Sequence, residues 1–241
     1  MESDHIEYKL EDSAGRINDI ISAGDITYEE RDIIPARSAL TYTNGFYVKC
    51  SAMFVDIRES SELTDFHKTR TLAKIYRAYI SEVAAVMNGN PNCAEINVVG
   101  DCVSGIFDTP FQKDVQEVFS TAAKISSIID IMNYRFKKNN MKEITVGVGM
   151  AYGQALMIKA GYKGSGINEV IWMGDVVNEA SNLANYGNKE SYDKETMVSS
   201  VFQSNLTEHQ KGLLEYSNIR GCYQGNIING TMNDWFKQKF P

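Results

Sequence analysis

At 241 residues, with 43% hydrophobic and 23% charged side chains, the chain has the balance of an ordinary globular protein: one large domain, or a domain with an extension. Its net charge of -7 and pI near 5.1 argue against a dedicated nucleic-acid binder, which carries a basic face. No apolar stretch approaches the ~20 residues that span a bilayer, and the polar start Met1-Glu2-Ser3-Asp4-His5 does not read as a signal peptide.

Residues 1–45 read as an extension or arm: a short helix, then Gly24-Asp25, then an extended stretch ending at Pro35, which forces its predecessor out of the helical region. The rest, 46–241, reads as one domain. Val48–Ile57 is a strand, and Leu63–Met87 a helix with Leu72, Tyr76, Tyr79, Ile80, Val83 and Met87 on one face. Asn88-Gly89-Asn90-Pro91 stops that helix. Two short β-runs then fold about Gly100-Asp101, a hairpin signal. Asp114–Lys138 is a second amphipathic helix, and its basic end suits a helix C-terminus. Strands are expected at Ile144–Met150, Ala155–Ile158 and Val170–Met173, with a flexible loop from Gly161 to Gly166. A helix runs from Val176 to about Ala184. Shorter elements follow: a strand at Met197–Ser199, a helix near Thr207–Leu214, and strands at Cys222–Tyr223 and Ile227–Ile228. This order predicts an α+β fold, a ferredoxin-like βαββαβ sheet with helices on one face and additional C-terminal strands and helices.

Two aspartates stand out, because each interrupts an apolar strand where an unpaired carboxylate is costly. Asp56 closes Ala52-Met53-Phe54-Val55-Asp56-Ile57, and Asp101 sits in Val98-Val99-Gly100-Asp101-Cys102-Val103. If the strands lie side by side, two carboxylates converge with no Cys or His pattern nearby. That donor set favours hard divalent ions, Mg²⁺ or Mn²⁺, and two such ions on phosphate oxygens suit in-line displacement at phosphorus. Cys50, Cys93, Cys102 and Cys222 lack CxxC spacing and read as reduced, packed thiols of a cytoplasmic protein.

These motifs resemble the class III nucleotidyl cyclases. Phe54-Val55-Asp56-Ile57-Arg58 matches the first metal motif, Val98-Val99-Gly100-Asp101 the second, Gly149-Met150-Ala151-Tyr152-Gly153 a glycine-spaced strand pair, and Gly174-Asp175-Val176-Val177-Asn178-Glu179-Ala180 a helix motif. The resemblance covers roughly residues 46–230 and implies a cyclase core. It implies that Asp56, Asp101 and the Ile57 carbonyl hold two divalent cations, Mn²⁺ or Mg²⁺. The 57–61 loop, with Arg58, Glu59, Ser60 and Ser61, would cradle the triphosphate, and Asn178 would orient the ribose. It further implies a head-to-tail homodimer whose two active sites each draw metals from one subunit and Asn178 from the other.

Three positions depart from the purine cyclases. Asn97 stands where they carry a base-reading Lys or Glu, Ile171 where they often carry Asp, Thr or Cys, and Asn182 where they usually carry a transition-state Arg. Arg58, Lys163 and Arg220 are the candidate replacement cations. Together with Trp172 and the stretches Ile34-Pro35-Ala36-Arg37 and Leu40-Thr41-Tyr42-Thr43-Asn44-Gly45, the changes are similar to the bacterial anti-phage pyrimidine cyclases of the Pycsar system. Those enzymes make cyclic UMP or cyclic CMP, which activates a separate effector. Trp172 would shorten the base pocket, or else pack in the core at a strand end. The Asn97 amide carries both donor and acceptor, so UTP and CTP both stay open as substrates. The rivals are a nucleotide-binding cyclase-like dimer without turnover, a purine cyclase with an unusual pocket, and another two-metal phosphoryl enzyme.

Overall fold

A computed structural model describes residues 5–23, 27–162 and 168–240. In chain order the elements are α1 (Leu10–Ser22), β1 (Thr27–Arg31), β2 (Asn44–Ile57), α2 (Ser60–Phe66), α3 (Thr69–Asn88), β3 (Cys93–Val99), β4 (Cys102–Asp108), α4 (Gln112–Lys138) and β5 (Val146–Gly161). Then come β6 (Asn168–Met173), α5 (Asp175–Tyr186), β7 (Thr196–Val198), α6 (Ser200–Ser204), α7 (Glu208–Lys211), β8 (Glu215–Ser217), β9 (Cys222–Gly225) and α8 (Gly230–Lys239). Gly24, Asp25 and the Lys163–Gly166 part of the expected loop lie outside the described residues. No described helix is long and apolar enough to cross a membrane.

The chain forms two compact units. The first is built from the segment before Cys50 together with Gln154–Gly174, so the region read as an extension shares its unit with a later hairpin. There β1 runs parallel to the start of β2, from Thr27 opposite Asn44 to Arg31 opposite Val48. Asn44 fixes the approach to β2: its Oδ1 accepts from the Thr41 amide at 2.7 Å and its Nδ2 donates to the Ala39 carbonyl at 2.9 Å. The second half of β5 pairs antiparallel with β6. A small core of Leu40, Phe46, Val48, Met157 and Val170, flanked by Ile34 and Trp172, holds this unit together.

The second unit carries the βαββαβ core. Its strands follow the order β3-β4-β2-β5-β7-β9-β8, and the first four match the ferredoxin-like expectation. Met53, Val55 and Ile57 of β2 and Val146, Val148 and Met150 of β5 face one apolar core with Ile75, Tyr79 and Val83 of α3 and Val118, Ala122 and Ile125 of α4. Residues alternate across a strand, so Gly147 and Gly149 point the other way. A Cβ on Gly149 would stand 2.1 Å from the Ala180 carbonyl oxygen and the Ala184 nitrogen of α5. The helices therefore lie on both faces, with α5 opposite α3 and α4, and the expectation of helices on one face is corrected.

Other differences have local causes. The helix expected over Leu63–Met87 is two helices, α2 and α3, broken at an extended His67-Lys68. The His67 Nε2 accepts from the Lys142 amide at 2.9 Å, a tertiary bond at the break. The two strands expected around Gly153 are the single strand β5. The expected strand at Ile227–Ile228 is absent, and α8 follows instead. Asn229 starts α8 by accepting from the Met232 amide at 3.0 Å, and Phe236 and Phe240 pack on the Tyr134 ring of α4.

One part-buried carboxyl in this unit titrates late. Burial pushes Glu195 up to about 7, against an opposing Ser126 hydroxyl and with help from Asp130, and its Oε1 has no partner among the described residues. The folded chain thus binds this proton more tightly than the unfolded one. The stability is complete below the ordinary 4.5, falls as pH rises towards 7, and stays reduced above it. Thermal melts between pH 5 and 8 are expected to fall with pH in the natural protein and to flatten in Glu195→Gln. Parallel curves for the two proteins would contradict this.

Candidate active site

The site grows from one end of the central strands. Phe54 pairs with Ser104 and Val55 with Val103 across β2 and β4, and Asn97 pairs with Ser104 across β3 and β4. Because Val55 and Val103 face the helical core, Phe54, Asp56, Cys102, Ser104 and Asn97 share the opposite face. Continuing the register sets Cys102 opposite Asp56, with Asp101 next along in the turn. Gly100, at φ 64°, opens that two-residue turn with the positive angle a tight hairpin needs. The two aspartates are thus brought to one end of the sheet, near enough that the charge of Asp101 is felt at Asp56.

Burial raises the Asp56 carboxyl above its usual range, Arg58 pulls it back, and the charge of Asp101 pushes it up again. Arg58 Nη2 donates to Asp56 Oδ2 at 2.5 Å and Nη1 donates to the Asn185 carbonyl at 3.1 Å. The Tyr79 hydroxyl, buried under the strand, donates to the Val55 carbonyl at 2.9 Å and pins the backbone just before Asp56. Burial holds the Cys102 thiol at about 11, so it stays protonated and offers no thiolate nucleophile at neutral pH. Two convergent carboxylates with part-exposed oxygens fit a hard divalent cation that takes its other ligands from a phosphate and water. Among the described residues no group of three or more His, Cys, Asp or Glu forms a closed metal cage.

The residues read as a phosphate cradle sit around the start of α2. The Arg58 amide is already spent on the Thr145 carbonyl at 2.8 Å, and its side chain on Asp56 and Asn185. Glu59 adopts the left-handed conformation, φ 52° and ψ 38°, uncommon for a residue with a side chain and concentrated at functional turns. It turns the chain so that Ser60 and Ser61 open α2, where amides have no partner within the helix.

Helix α5 separates two clefts. One, of about 290 Å³, is lined by Phe54, Asp56 and Cys102 and by Ser181, Asn182, Ala184 and Asn185. The other, of about 330 Å³, is lined by Asn178, Asn182, Tyr186 and Arg220 among others. Asn182 borders both, whereas Asn178 and Asp56 border different ones. Of the candidate cations, Lys163 lies outside the described residues and Arg58 is held on Asp56. Arg220 reaches the Asn178 cleft. Its Nε and Nη2 donate to Asp193 at 2.9 and 2.6 Å, and its guanidinium stacks over Tyr186 and Tyr192. That clamp raises the Arg220 pKa still further and keeps the cation in place.

Of the residues expected to read the base, Asn97 lies on the Asp56 face of the sheet, and its Nδ2 donates to Glu95 at 2.9 Å. Trp172 packs against the Leu40–Phe46–Met157 core of the first unit with its indole N–H buried and without a partner among the described residues. Ile171, next to it on β6, faces the other way and is 40% exposed. The two alternate across the strand, so both cannot line one face of a base pocket.

The sequence reading passed over Glu95, Asp193, Tyr186 and Tyr192. Glu95 carried a signal, since two-residue spacing on a strand puts it on the face of Asn97. Asp193 carried none, because 27 residues without a motif separate it from Arg220.

Residues 44–227 match the adenylate and guanylate cyclase catalytic domain. The chain is 35% identical to a uridylate cyclase of Gulbenkiania mobilis over 99% of each sequence. It is 33% identical to a uridylate cyclase of Treponema porcinum, over 97% of this chain and 82% of that one. In fold it is similar to the adenylyl cyclase CyaB from P. aeruginosa, with a TM-score of 0.62 at 19% identity over 75% of this chain and 94% of that one.

Proposed function

This chain belongs to the adenylate and guanylate cyclase catalytic family, and from that premise we propose that it is a pyrimidine nucleotide cyclase, closing UTP, or CTP, to the 3′,5′-cyclic nucleotide and pyrophosphate. A nucleotidyl cyclase is a lyase: the ribose 3′-oxygen attacks the α-phosphorus and pyrophosphate leaves. The observation that carries the pyrimidine reading is Asn97. It lies on the Asp56 face, where the resemblance puts a base-reading Lys or Glu, with an amide in their place, and the relatives matched over nearly the whole chain are uridylate cyclases.

In this reading Asp56, Asp101 and the Ile57 carbonyl hold two divalent cations, Mg²⁺ or Mn²⁺. Such cations, when bound, acidify the 3′-hydroxyl and offset the triphosphate charge. The protein's share is positioning and fixed charge. Tyr79 fixes the strand that carries Asp56. The Ser60 and Ser61 amides, presented by the turn at Glu59, donate to phosphate oxygens. Asn178 orients the ribose, and Arg220, clamped by Asp193, supplies the cation that Asn182 lacks. Within one chain Asn178 and Asp56 border different clefts, which supports sites shared across a homodimer. The role of the product in anti-phage defence, acting through a separate effector, rests on the resemblance to the Pycsar cyclases.

The test is incubation of the purified protein with ATP, GTP, CTP or UTP and Mn²⁺, read by mass spectrometry. A cyclic pyrimidine product is expected, with cyclic UMP dominant. A cyclic purine alone would overturn the base assignment. Nucleotide binding with no product from any of the four would favour a non-catalytic dimer, the reading that Asn182 in place of Arg supports.

A further inference from the structure

Glu95 and Asn97 alternate along β3 and share the sheet face that carries Phe54, Ser104 and Asp56. Glu95 is buried, 8% exposed, and takes a 2.9 Å hydrogen bond from Asn97 Nδ2. The Glu95 carboxyl oxygen accepts in this contact, so it favours one orientation of the asparagine amide. The nitrogen must face Glu95, and the oxygen must face away. Among the described residues nothing else holds that amide. Its oxygen, and the second amide hydrogen beside it, remain for a base.

Uracil and cytosine differ in one respect that such a group can read. At positions 3 and 4 uracil presents an N–H donor and a carbonyl acceptor, whereas cytosine presents an acceptor and an amino donor. A freely turning asparagine pairs with either by flipping through 180°. Here a flip would set the amide oxygen against the Glu95 carboxylate, acceptor against acceptor, inside a buried setting where an unmet polar contact is costly.

We propose that Glu95 is the residue that makes this cyclase choose between pyrimidines: it locks the Asn97 amide in one orientation, so that one base edge matches and the other meets like against like. The inference rests on the pyrimidine-cyclase reading above and on Asn97 facing the base. Glu95 is a positioning residue; it acts through Asn97. A site built to hydrogen-bond one polar edge rejects the inverted edge far more strongly than a site that merely fits its shape.

Glu95→Gln tests this with little change in volume. A glutamine amide can turn either its oxygen or its nitrogen to Asn97, so both orientations become available. The ratio of kcat/KM for UTP to that for CTP is expected to fall by about tenfold or more, chiefly through a gain with the disfavoured base. A loss of stability alone would lower both values and leave their ratio in place. Asn97→Ala, measured beside it, is expected to collapse the same ratio. A natural protein that makes no cyclic pyrimidine overturns the functional reading itself. One that discriminates between the bases, with a ratio unchanged in Glu95→Gln, overturns the role of Glu95 alone. Equal use of UTP and CTP by the natural protein overturns it as well.

Discussion

Asp101→Asn is expected to abolish cyclic nucleotide formation, by a factor of about 10³ or more, while the melting temperature stays within about 2 °C of the natural protein. Asp101 sits in the hairpin turn with no side-chain hydrogen bond among the described residues and part of its side chain in solvent, so removing its charge is expected to disturb little besides the proposed metal pair. Asp56→Asn is expected to cost as much activity and, in addition, stability. Its carboxylate is the ion-pair partner of Arg58, whose side chain is only 10% exposed and whose Nε lacks a partner among the described residues. Removing one member of a largely buried pair leaves the other charge uncompensated, at a cost of about 3 kcal/mol. Product assays and thermal melts on the two variants, side by side, check this. Retained activity in Asp101→Asn would remove the second carboxylate from the mechanism. Equal melting temperatures for the two variants would mean that Arg58 finds another partner.

Gly149→Ala is expected to be the most damaging single methyl group in the chain. Its Cβ would fall 2.1 Å from two backbone atoms of α5, and Gly147 is under the same restriction, 2.2 Å from the Ala184 carbonyl oxygen. Neither obstacle is the end of a flexible side chain, so the helix itself must move. Overpacking against backbone costs about 3 kcal/mol or more. A domain of this size loses roughly 2–4 °C in Tm for each kcal/mol. The helix that moves carries Asn178 and Asn182, so activity should fall further than stability explains. Gly15→Ala makes the control. It lies in α1 with open space around it and is expected to be neutral or slightly stabilising, because alanine favours helix. Denaturation curves and turnover of the two variants decide the matter. A Gly149→Ala protein as stable as Gly15→Ala would mean that α5 does not pack as closely on β5 as described.

Why some of this was legible in the sequence, and some not, follows from the range of the forces involved. The apolar run of β2 and the Gly100-Asp101 turn are local, and both stand in the structure as read. So is the apolar stripe of α3, where Tyr79, Val83 and Met87 are fully buried. The break between α2 and α3 is not local. The apolar period runs through His67-Lys68, and the bond from the Lys142 amide to the His67 ring lies 75 residues away. Glycines misled in a similar way. Gly153 read as an interruption where β5 runs straight through, and nothing local told that Gly147 and Gly149, inside the expected strand, serve a helix that crosses close behind it. Among the C-terminal strands, three or four residues each, β7 and β9 stand near where they were expected, whereas β8, three residues long, carries too few positions to show a period. At the site, the cost of burying a carboxylate made Asp56 and Asp101 conspicuous. Trp172 read equally well as pocket or core, and it packs in the core of the first unit.

The positions of Asn97 and Asp56 in the sheet differ in one respect that bears on descent. Asp56 ends an interior strand, flanked by β4 and β5, whereas Asn97 and Glu95 lie on β3, the last strand of the order. A border strand answers to one neighbour rather than two, so its side chains are freer to drift under selection. Asp56, by contrast, is embedded where drift is punished, while Asp101 sits in the turn that joins the border strand to its neighbour. A lineage built on this scaffold can therefore exchange one nucleobase for another by a few changes at the margin and inherit its catalytic machinery intact.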